Sequence, residues 1–186
     1  MPSPAAAAAI RRLVRAVEVE AHVFADDGLI PNNPKLPFLI YSEALDLPGD
    51  DPAVACEAVF RANGWGGSWR NGIYPFPHYH STAHEVLGIC RGEAMVRFGG
   101  AAGIVRTVRS GDVVIIPAGV GHHNLGAAVD LLVVGAYPAG QRWDLCYGRP
   151  EERPRVLSNI ERVPLPASDP LYGPDGALLG HWRRRA

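Results

Sequence analysis

The chain has 186 residues, of which 47% are hydrophobic and 20% are charged, and its 18 basic and 19 acidic side chains give a net charge of -1. This length suits one domain with a substantial core. The charge balance excludes a dominant nucleic-acid footprint, and the apolar content excludes disorder. No apolar run reaches the roughly 20 residues that cross a membrane, so no membrane partner is expected.

Three widely spaced cysteines, Cys56, Cys90 and Cys146, contain no CxxC pair, which excludes a zinc ribbon. A chain of this size does not depend on a disulfide framework. We therefore expect a reducing compartment, the cytoplasm.

The domain organisation predicted from the sequence is simple. Residues 1–15 form an N-terminal extension, and residues 16–186 form a single domain. Residues 17–24 alternate apolar and polar side chains, which predicts a strand. Residues 16–24 and 36–41 are candidate edge strands, and exposed edges favour pairing with a second copy.

One helix is predicted in the first half of the chain. Asp51 is suited to cap it, Pro52 suits its first position, and Asn63-Gly64 ends it. The glycine-rich stretch that follows, residues 64–67, is interpreted as a turn.

The pattern changes after Trp69, where short runs rich in Val, Ile, Tyr and Phe are separated by Gly and Asn. Six strands are predicted at Ile73–His80, Glu85–Arg91, Ala94–Phe98, Ile104–Val108, Val113–Pro117 and Leu131–Tyr137. Such a series is typical of an antiparallel sandwich or barrel. The chain is thus expected to be all-β, with a barrel core at residues 69–138 and a tail, residues 139–186, that wraps it.

Five of the seven histidines fall between positions 78 and 123. On a strand, His78 and His80 point to one face, and Glu85 opens the next strand. His122 follows a tight turn and can return to the first pair. Three imidazoles and one carboxylate suit a divalent transition metal such as Fe(II), Mn, Ni or Zn, and they leave open positions for water, oxygen or substrate.

The spacing of these residues resembles the two signature motifs of the cupin superfamily. The first motif is matched at Gly72, His78, His80, Glu85 and Gly92, and the second at Gly111, Pro117, Gly119 and His122. The second motif departs at its end, where Gly126 stands in place of the usual asparagine. The resemblance implies a single cupin barrel (a double-stranded β-helix or jelly roll), with one or two short helices before the motifs and metal held by the three histidines and Glu85.

The flanking stretches, among them DDGLIPNNPKLPFLIY and VVGAYPAGQRWDLCYG, resemble the YjlB-like branch of single-domain bacterial cupins. This likeness covers nearly everything from about Val19 onward. It implies a homodimer, as in many single-barrel cupins, and it leaves the substrate open.

Several side chains near the predicted metal have two alternative interpretations. Tyr74, Phe76 and Leu87 either form a substrate pocket or belong to the barrel core. Arg70 either binds an anionic substrate group or is a solvated rim residue. His84 and His123 each adjoin a predicted ligand; they are either bases or proton relays, or histidines of the surface or of an interface.

Two classes of function follow. The first is a metal-dependent enzyme acting on a small organic substrate by dioxygenation, isomerisation or decarboxylation. The resemblance to other cupins with this ligand set implies dioxygenase-like or other oxidoreductase chemistry in preference to the other two. The second is a non-catalytic module that binds a metal or a small ligand. An open metal position favours the enzyme, and a sealed one favours a structural metal.

Overall fold

The computed structural model describes residues 4–183, which contain nine strands and four α-helices. The strands are β1 (Val19–His22), β2 (Phe38–Tyr41), β3 (Trp65–Asn71), β4 (Glu85–Arg91), β5 (Glu93–Phe98), β6 (Ile104–Arg109), β7 (Val113–Ile116), β8 (His122–Ala127) and β9 (Leu132–Pro138). The helices are α1 (Pro4–Arg11), α2 (Pro52–Ala62), α3 (Arg155–Arg162) and α4 (Ala177–Arg183). The predicted extension begins, and the predicted domain ends, outside the described residues.

The strands form two antiparallel sheets. The larger sheet has the order β1-β2-β7-β4-β9-β3, and the smaller one has the order β6-β5-β8. The prediction of an all-β jelly roll with two short helices before the motifs is confirmed. Helices α3 and α4, which follow the motifs, were not predicted.

Both faces of the larger sheet are buried at its central strands, which is why β2 and β7 are continuously apolar. In β7, Val113 and Ile115 face a cluster that includes α2 and α4, whereas Val114 and Ile116 face the smaller sheet. Side chains on a strand alternate between its faces, so a run of four apolar residues fills two separate core layers.

The predicted helix is confirmed as α2. It begins at Pro52, and the side chain of Asp51 accepts a hydrogen bond from the backbone N–H of Ala53. The helix ends at Ala62, and Asn63 forms its C-cap.

Three local predictions are wrong, wholly or in part. The turn expected at residues 64–67 is confirmed only at Gly64, because β3 begins at Trp65 and pairs with β9 through a register shift between Gly66 and Trp69. The strand expected at Ile73–His80 is largely irregular; Pro75 and Pro77 have no N–H with which to continue a ladder. Of the two candidate edges, β1 lies at an edge, but β2, within 36–41, lies inside the sheet.

The C-terminal segment packs against strands from the beginning of the chain. Trp182 is buried and donates from its indole N–H to the carbonyl of Pro37 at 2.9 Å. The buried carboxylate of Asp169 accepts from the hydroxyl of Tyr41 at 2.8 Å and from the N–H of Leu178 at 3.1 Å. None of the helices within residues 4–183 combines the length and the apolar character that crossing a membrane requires.

Candidate metal centre

Glu85 and His122 are placed by regular strands. Glu85 is the first residue of β4, pairs with Ile116 of β7, and shares its face with Leu87. His122 is the first residue of β8 and pairs with Phe98 of β5. The two side chains therefore come from facing sheets and meet between them.

His78 and His80 lie instead in an irregular segment, residues 72–84, which we call the histidine loop. The backbones of His78 and His122 exchange hydrogen bonds of 3.2 and 2.9 Å, and the N–H of Gly119 donates to the carbonyl of His80 at 2.8 Å. Gly119 has a φ of +93°, and a Cβ there would lie 2.5 Å from the carbonyl oxygen of Asn32, so only glycine fits this turn.

The alternation expected at His78-x-His80 survives without a strand. Tyr79, between the two histidines, points away and donates its hydroxyl to Glu152 at 2.9 Å. The ligand atoms of His78, His80 and His122 all lie within 4.8 Å of one another. Oε2 of Glu85 lies 3.4 Å from Nε2 of His80 and 3.4 Å from Nε2 of His122. The four side chains are between 2% and 6% exposed.

The hydrogen bonds of the three rings determine which nitrogen faces the centre. Nδ1 of His78 lies 3.0 Å from the carbonyl of Phe76, and Nδ1 of His80 contacts the carbonyl of Asp144. Nδ1 of His122 faces the carbonyl of Val120 at 3.5 Å. A carbonyl can only accept, so each Nδ1 carries a proton, and in the neutral ring each Nε2 presents a lone pair.

Oε2 of Glu85 is buried and has no hydrogen-bond partner among the described residues. It faces the Nε2 lone pairs, which are also acceptors. A buried group of acceptors without a donor is stabilised by a cation, so these residues fit a metal ion.

The electrostatics also show an attraction for positive charge. Burial acts to raise the pKa of Glu85, but His80 and His122 outweigh it, and the pKa lies below its usual range. Burial acts to lower the pKa of His80, but the carboxylate of Glu85 and the carbonyl of Asp144 raise it. At His78, burial and the charge of His122 lower the pKa to about 3.

A cavity of about 280 Å³ opens directly onto these residues. Besides the three histidines and Glu85, its lining includes Gly67, Trp69, Arg70, Asn71, Gly72, Ile73, Tyr74, Leu87, Tyr137 and Trp143. Trp143 is 46% exposed and meets the ring of His80 edge-on at 5.4 Å. The centre is thus reached from solvent through a largely aromatic opening.

Of the predicted pocket residues, Tyr74, Leu87 and Arg70 line this cavity, whereas Phe76 does not. Leu87 is buried in its wall, and Tyr74, 39% exposed, stacks on Phe76 with ring centroids 4.9 Å apart. Arg70 also borders the cavity, but its guanidinium binds Glu57 at 2.8 and 2.9 Å and Asp51 at 2.8 Å.

The two histidines that adjoin ligands point away from the centre. His84 is fully buried; its Nδ1 accepts from the N–H of Ala118 at 3.0 Å, and its ring lies 4.6 Å from that of Trp182. Burial lowers its pKa to about 3. His123 lines a separate cavity of about 190 Å³ with Arg97 and Leu29.

Sequence reasoning missed four residues next to the centre: Trp69, Tyr137, Trp143 and Asp144. Tyr137 follows Ala136, the partner of Val86, so the pairing of β4 with β9 places it beside Glu85. Its hydroxyl donates to Oε1 of Glu85 at 2.9 Å. Strand alternation would have found Tyr137 once this pairing was known, whereas Trp143 and Asp144 belong to an irregular tail with no periodic signal.

Asp144 fixes the histidine loop from the tail. Its carboxylate accepts from the N–H of Ser81 at 2.6 Å, from the hydroxyl of Ser81 at 2.5 Å and from the N–H of Thr82 at 3.3 Å. Its backbone carbonyl contacts Nδ1 of His80. One residue thus orients both a ligand ring and the backbone that carries it.

Comparison with known proteins agrees with this architecture. A family model described as cupin matches residues 70–136, which hold all four candidate ligands. A curated protein, YjlB of Bacillus subtilis (strain 168), is 42% identical over 165 residues, covering 89% of this chain and 97% of that protein. The chain therefore belongs to the cupin family and is YjlB-like within it.

Solved structures give more distant matches. An oxalate decarboxylase of Bacillus subtilis is 19% identical with a TM-score of 0.35, and the match covers 61% of this chain but 28% of that one. A DUF861 family protein from Thermotoga maritima is 22% identical with a TM-score of 0.29, covering 40% and 77% of the two chains. An 11S globulin from Wrightia tinctoria is 22% identical with a TM-score of 0.36, and this chain spans only 21% of it.

Proposed function

We propose that His78, His80, Glu85 and His122 bind one divalent transition metal ion, with Fe(II), Mn, Ni and Zn as the candidates. The observation that carries this proposal is the meeting of three Nε2 atoms with a buried Oε2 of Glu85 that has no hydrogen-bond partner in the part of the chain that the structure describes. Mixed imidazole and carboxylate donors suit these ions better than Ca²⁺ or Mg²⁺, which prefer all-oxygen sites.

The proposed activity is that of a metal-dependent enzyme on a small organic substrate, with oxidoreductase chemistry of the dioxygenase type. The open cavity supports this function over a purely structural metal, because structural sites are closed by protein ligands. When bound, the metal would supply Lewis-acid polarisation or, as Fe(II), access to oxygen chemistry. The chain itself lines the approach to the metal with Tyr74, Leu87 and Trp143 and orients the ligands through backbone carbonyls.

For the setting of this activity we propose a homodimer in the cytoplasm. The exposed edge of β1 supports pairing with a second copy. The three cysteines Cys56, Cys90 and Cys146 are free thiols in the structure, which suits a reducing compartment.

The test is the metal content of protein purified without chelators and without a nickel-binding tag. Plasma mass spectrometry should find about one metal per wild-type chain and none in His80→Ala, because removal of a ligand opens the site. The matched control is His123→Ala, which truncates a histidine beside the ligand His122 that faces another cavity and should retain the metal.

The identity of the metal directs the next step. Iron lost in His80→Ala supports oxygen-dependent chemistry and calls for oxygen-uptake screening of small phenols, thiols and diketones. Zinc, nickel or manganese would instead support isomerase or decarboxylase chemistry. A wild-type protein that holds no metal and takes none up on reconstitution contradicts the proposed site.

A further inference from the structure

Two hydrogen bonds in series connect the cavity wall to Glu85. The indole N–H of Trp69 donates to the hydroxyl oxygen of Tyr137 at 2.8 Å, and that hydroxyl donates to Oε1 of Glu85 at 2.9 Å. The Trp69 ring packs on Gly135, where a Cβ would lie only 2.1 Å from it. The absence of a side chain at Gly135 is what lets Trp69 approach Tyr137.

The direction of this series is fixed by the chemistry of its groups. An indole N–H can only donate, so the oxygen of Tyr137 must accept from Trp69. The single hydroxyl proton of Tyr137 is then directed to Glu85. A tyrosine hydroxyl is protonated at neutral pH, so that of Tyr137 can donate this hydrogen bond.

The two oxygens of Glu85 therefore have different tasks. Oε1 accepts from Tyr137, whereas Oε2 has no hydrogen-bond partner within residues 4–183 and faces Nε2 of His80 and of His122 at 3.4 Å. A carboxylate that is free on both oxygens can bind a metal through either one or both. Here only Oε2 is offered to the centre.

We infer that Tyr137, locked by Trp69, is a positioning residue that limits Glu85 to one metal bond and so keeps coordination positions open for a flat substrate that chelates through two oxygens. This inference rests on the proposed metal site. It goes beyond that site by naming the residue that preserves the open positions and the class of molecule that fills them.

The walls of the cavity indicate the shape and charge of that molecule. Tyr137 and Trp143 stack at 6.1 Å with an interplanar angle of 21°, and Ile73 and Leu87 add apolar surface. Among the lining residues, the charged side chains are Glu85 and Arg70.

Arg70 is already bound to Glu57 and Asp51, so no lining cation is left for a second anionic group. A neutral or singly charged molecule with a flat apolar body and an enol, hydroxyketone or diol end fits this environment.

The experiment uses Co²⁺ as a spectroscopic metal and tropolone, a flat singly charged O,O-chelator, as the ligand. Tyr137→Phe removes only the hydroxyl, and Trp69→Phe removes the N–H donor that locks it together with part of the indole ring. The matched control is Tyr172→Phe. In the wild type the hydroxyl of Tyr172 donates to the carbonyl of Arg15, and neither residue lines the cavity. Circular dichroism checks that all variants fold.

We expect every variant to bind one Co²⁺ per chain, and any loss of Co²⁺ affinity in Tyr137→Phe to be smaller than its loss of tropolone affinity. Tropolone affinity, followed by the visible Co²⁺ spectrum, should fall roughly tenfold in Tyr137→Phe and less in Trp69→Phe. It should not change in Tyr172→Phe. Wild-type protein should bind tropolone more tightly than oxalate, which chelates similarly but carries two charges and no apolar body.

The opposite results distinguish a failure of this inference from a failure of the proposed metal site. Equal tropolone affinity in wild type and Tyr137→Phe overturns the role of Tyr137, and a parallel loss of Co²⁺ and tropolone affinity reduces that role to structural support. Tighter binding of oxalate than of tropolone overturns the substrate class. Folded wild-type protein that binds no Co²⁺ removes the proposed metal site and, with it, this inference.

Discussion

The two halves of the candidate centre are built in different ways. Glu85 and His122 begin strands β4 and β8, whose positions are set by ladder hydrogen bonds and apolar packing. His78 and His80 lie in the histidine loop, which is held by a few backbone contacts and by Asp144 from the tail. One half of the centre thus depends on the core of the fold, and the other depends on polar contacts with a segment about 60 residues away.

The largest effect is expected from breaking the polar half alone. Asp144→Ala removes the acceptors for Ser81 and Thr82, and we expect metal affinity to fall roughly 10- to 100-fold. Isothermal titration with Co²⁺ measures the loss. Hydrogen exchange should become faster in the histidine loop and stay unchanged in β4.

Asp175→Ala, at an exposed position, is the matched control. Unchanged metal affinity in Asp144→Ala would show that the strands alone organise the centre. Faster exchange in both halves would show that the two are not independent.

A second prediction concerns the junction between the two halves, where His84 precedes β4. Its pKa of about 3 in the folded protein lies below the roughly 6.5 of an unfolded histidine. As the pH falls below 6.5, His84 becomes protonated in the unfolded chain but stays neutral in the folded protein. Stability is therefore lost toward acid, by about 1.4 kcal/mol per pH unit for this group.

His84→Gln cannot titrate, so its free energy of unfolding should fall less steeply than that of the wild type between pH 6.5 and 4. Urea denaturation of metal-free protein at several pH values measures both slopes. Parallel curves would mean that His84 is protonated in the folded state as readily as in the unfolded one.

The smallest effect is expected at Arg70, on the rim of the cavity. Its guanidinium is bound to Glu57 and Asp51, so Arg70→Gln should leave Co²⁺ and tropolone affinity without measurable change. A marked loss of tropolone binding would instead place Arg70 among the groups that bind the substrate.

Sequence patterns were sufficient where local chemistry decides the structure. Strand β4 was predicted with its observed bounds, because an apolar run between Glu85 and Gly92 has few alternatives. The four candidate ligands were brought together as their spacing predicted. Helix α2 followed from its capping residues.

The patterns failed where distant contacts decide. Strand β8 reads His-His-Asn-Leu-Gly-Ala, which lacks a strand-like apolar run and is held by pairing with β5. The sequence of the histidine loop predicts a strand, but its prolines and its hydrogen bonds to the tail make the backbone irregular. Tyr137 and Asp144 act on the centre through cross-strand pairing and through long-range hydrogen bonds, which no local window contains.

The contacts of Asp169 and Trp182 with the first strands have a consequence for how the protein is made. Tyr41 and Asp169 are 128 positions apart, and Trp182 reaches Pro37 across 145. Contacts between such distant residues slow folding, because a long loop must close before they form. A chain emerging from the ribosome therefore cannot complete its core until α4 has been synthesised. Until then the apolar surfaces of the nascent strands remain exposed, and chaperones must keep them from aggregating.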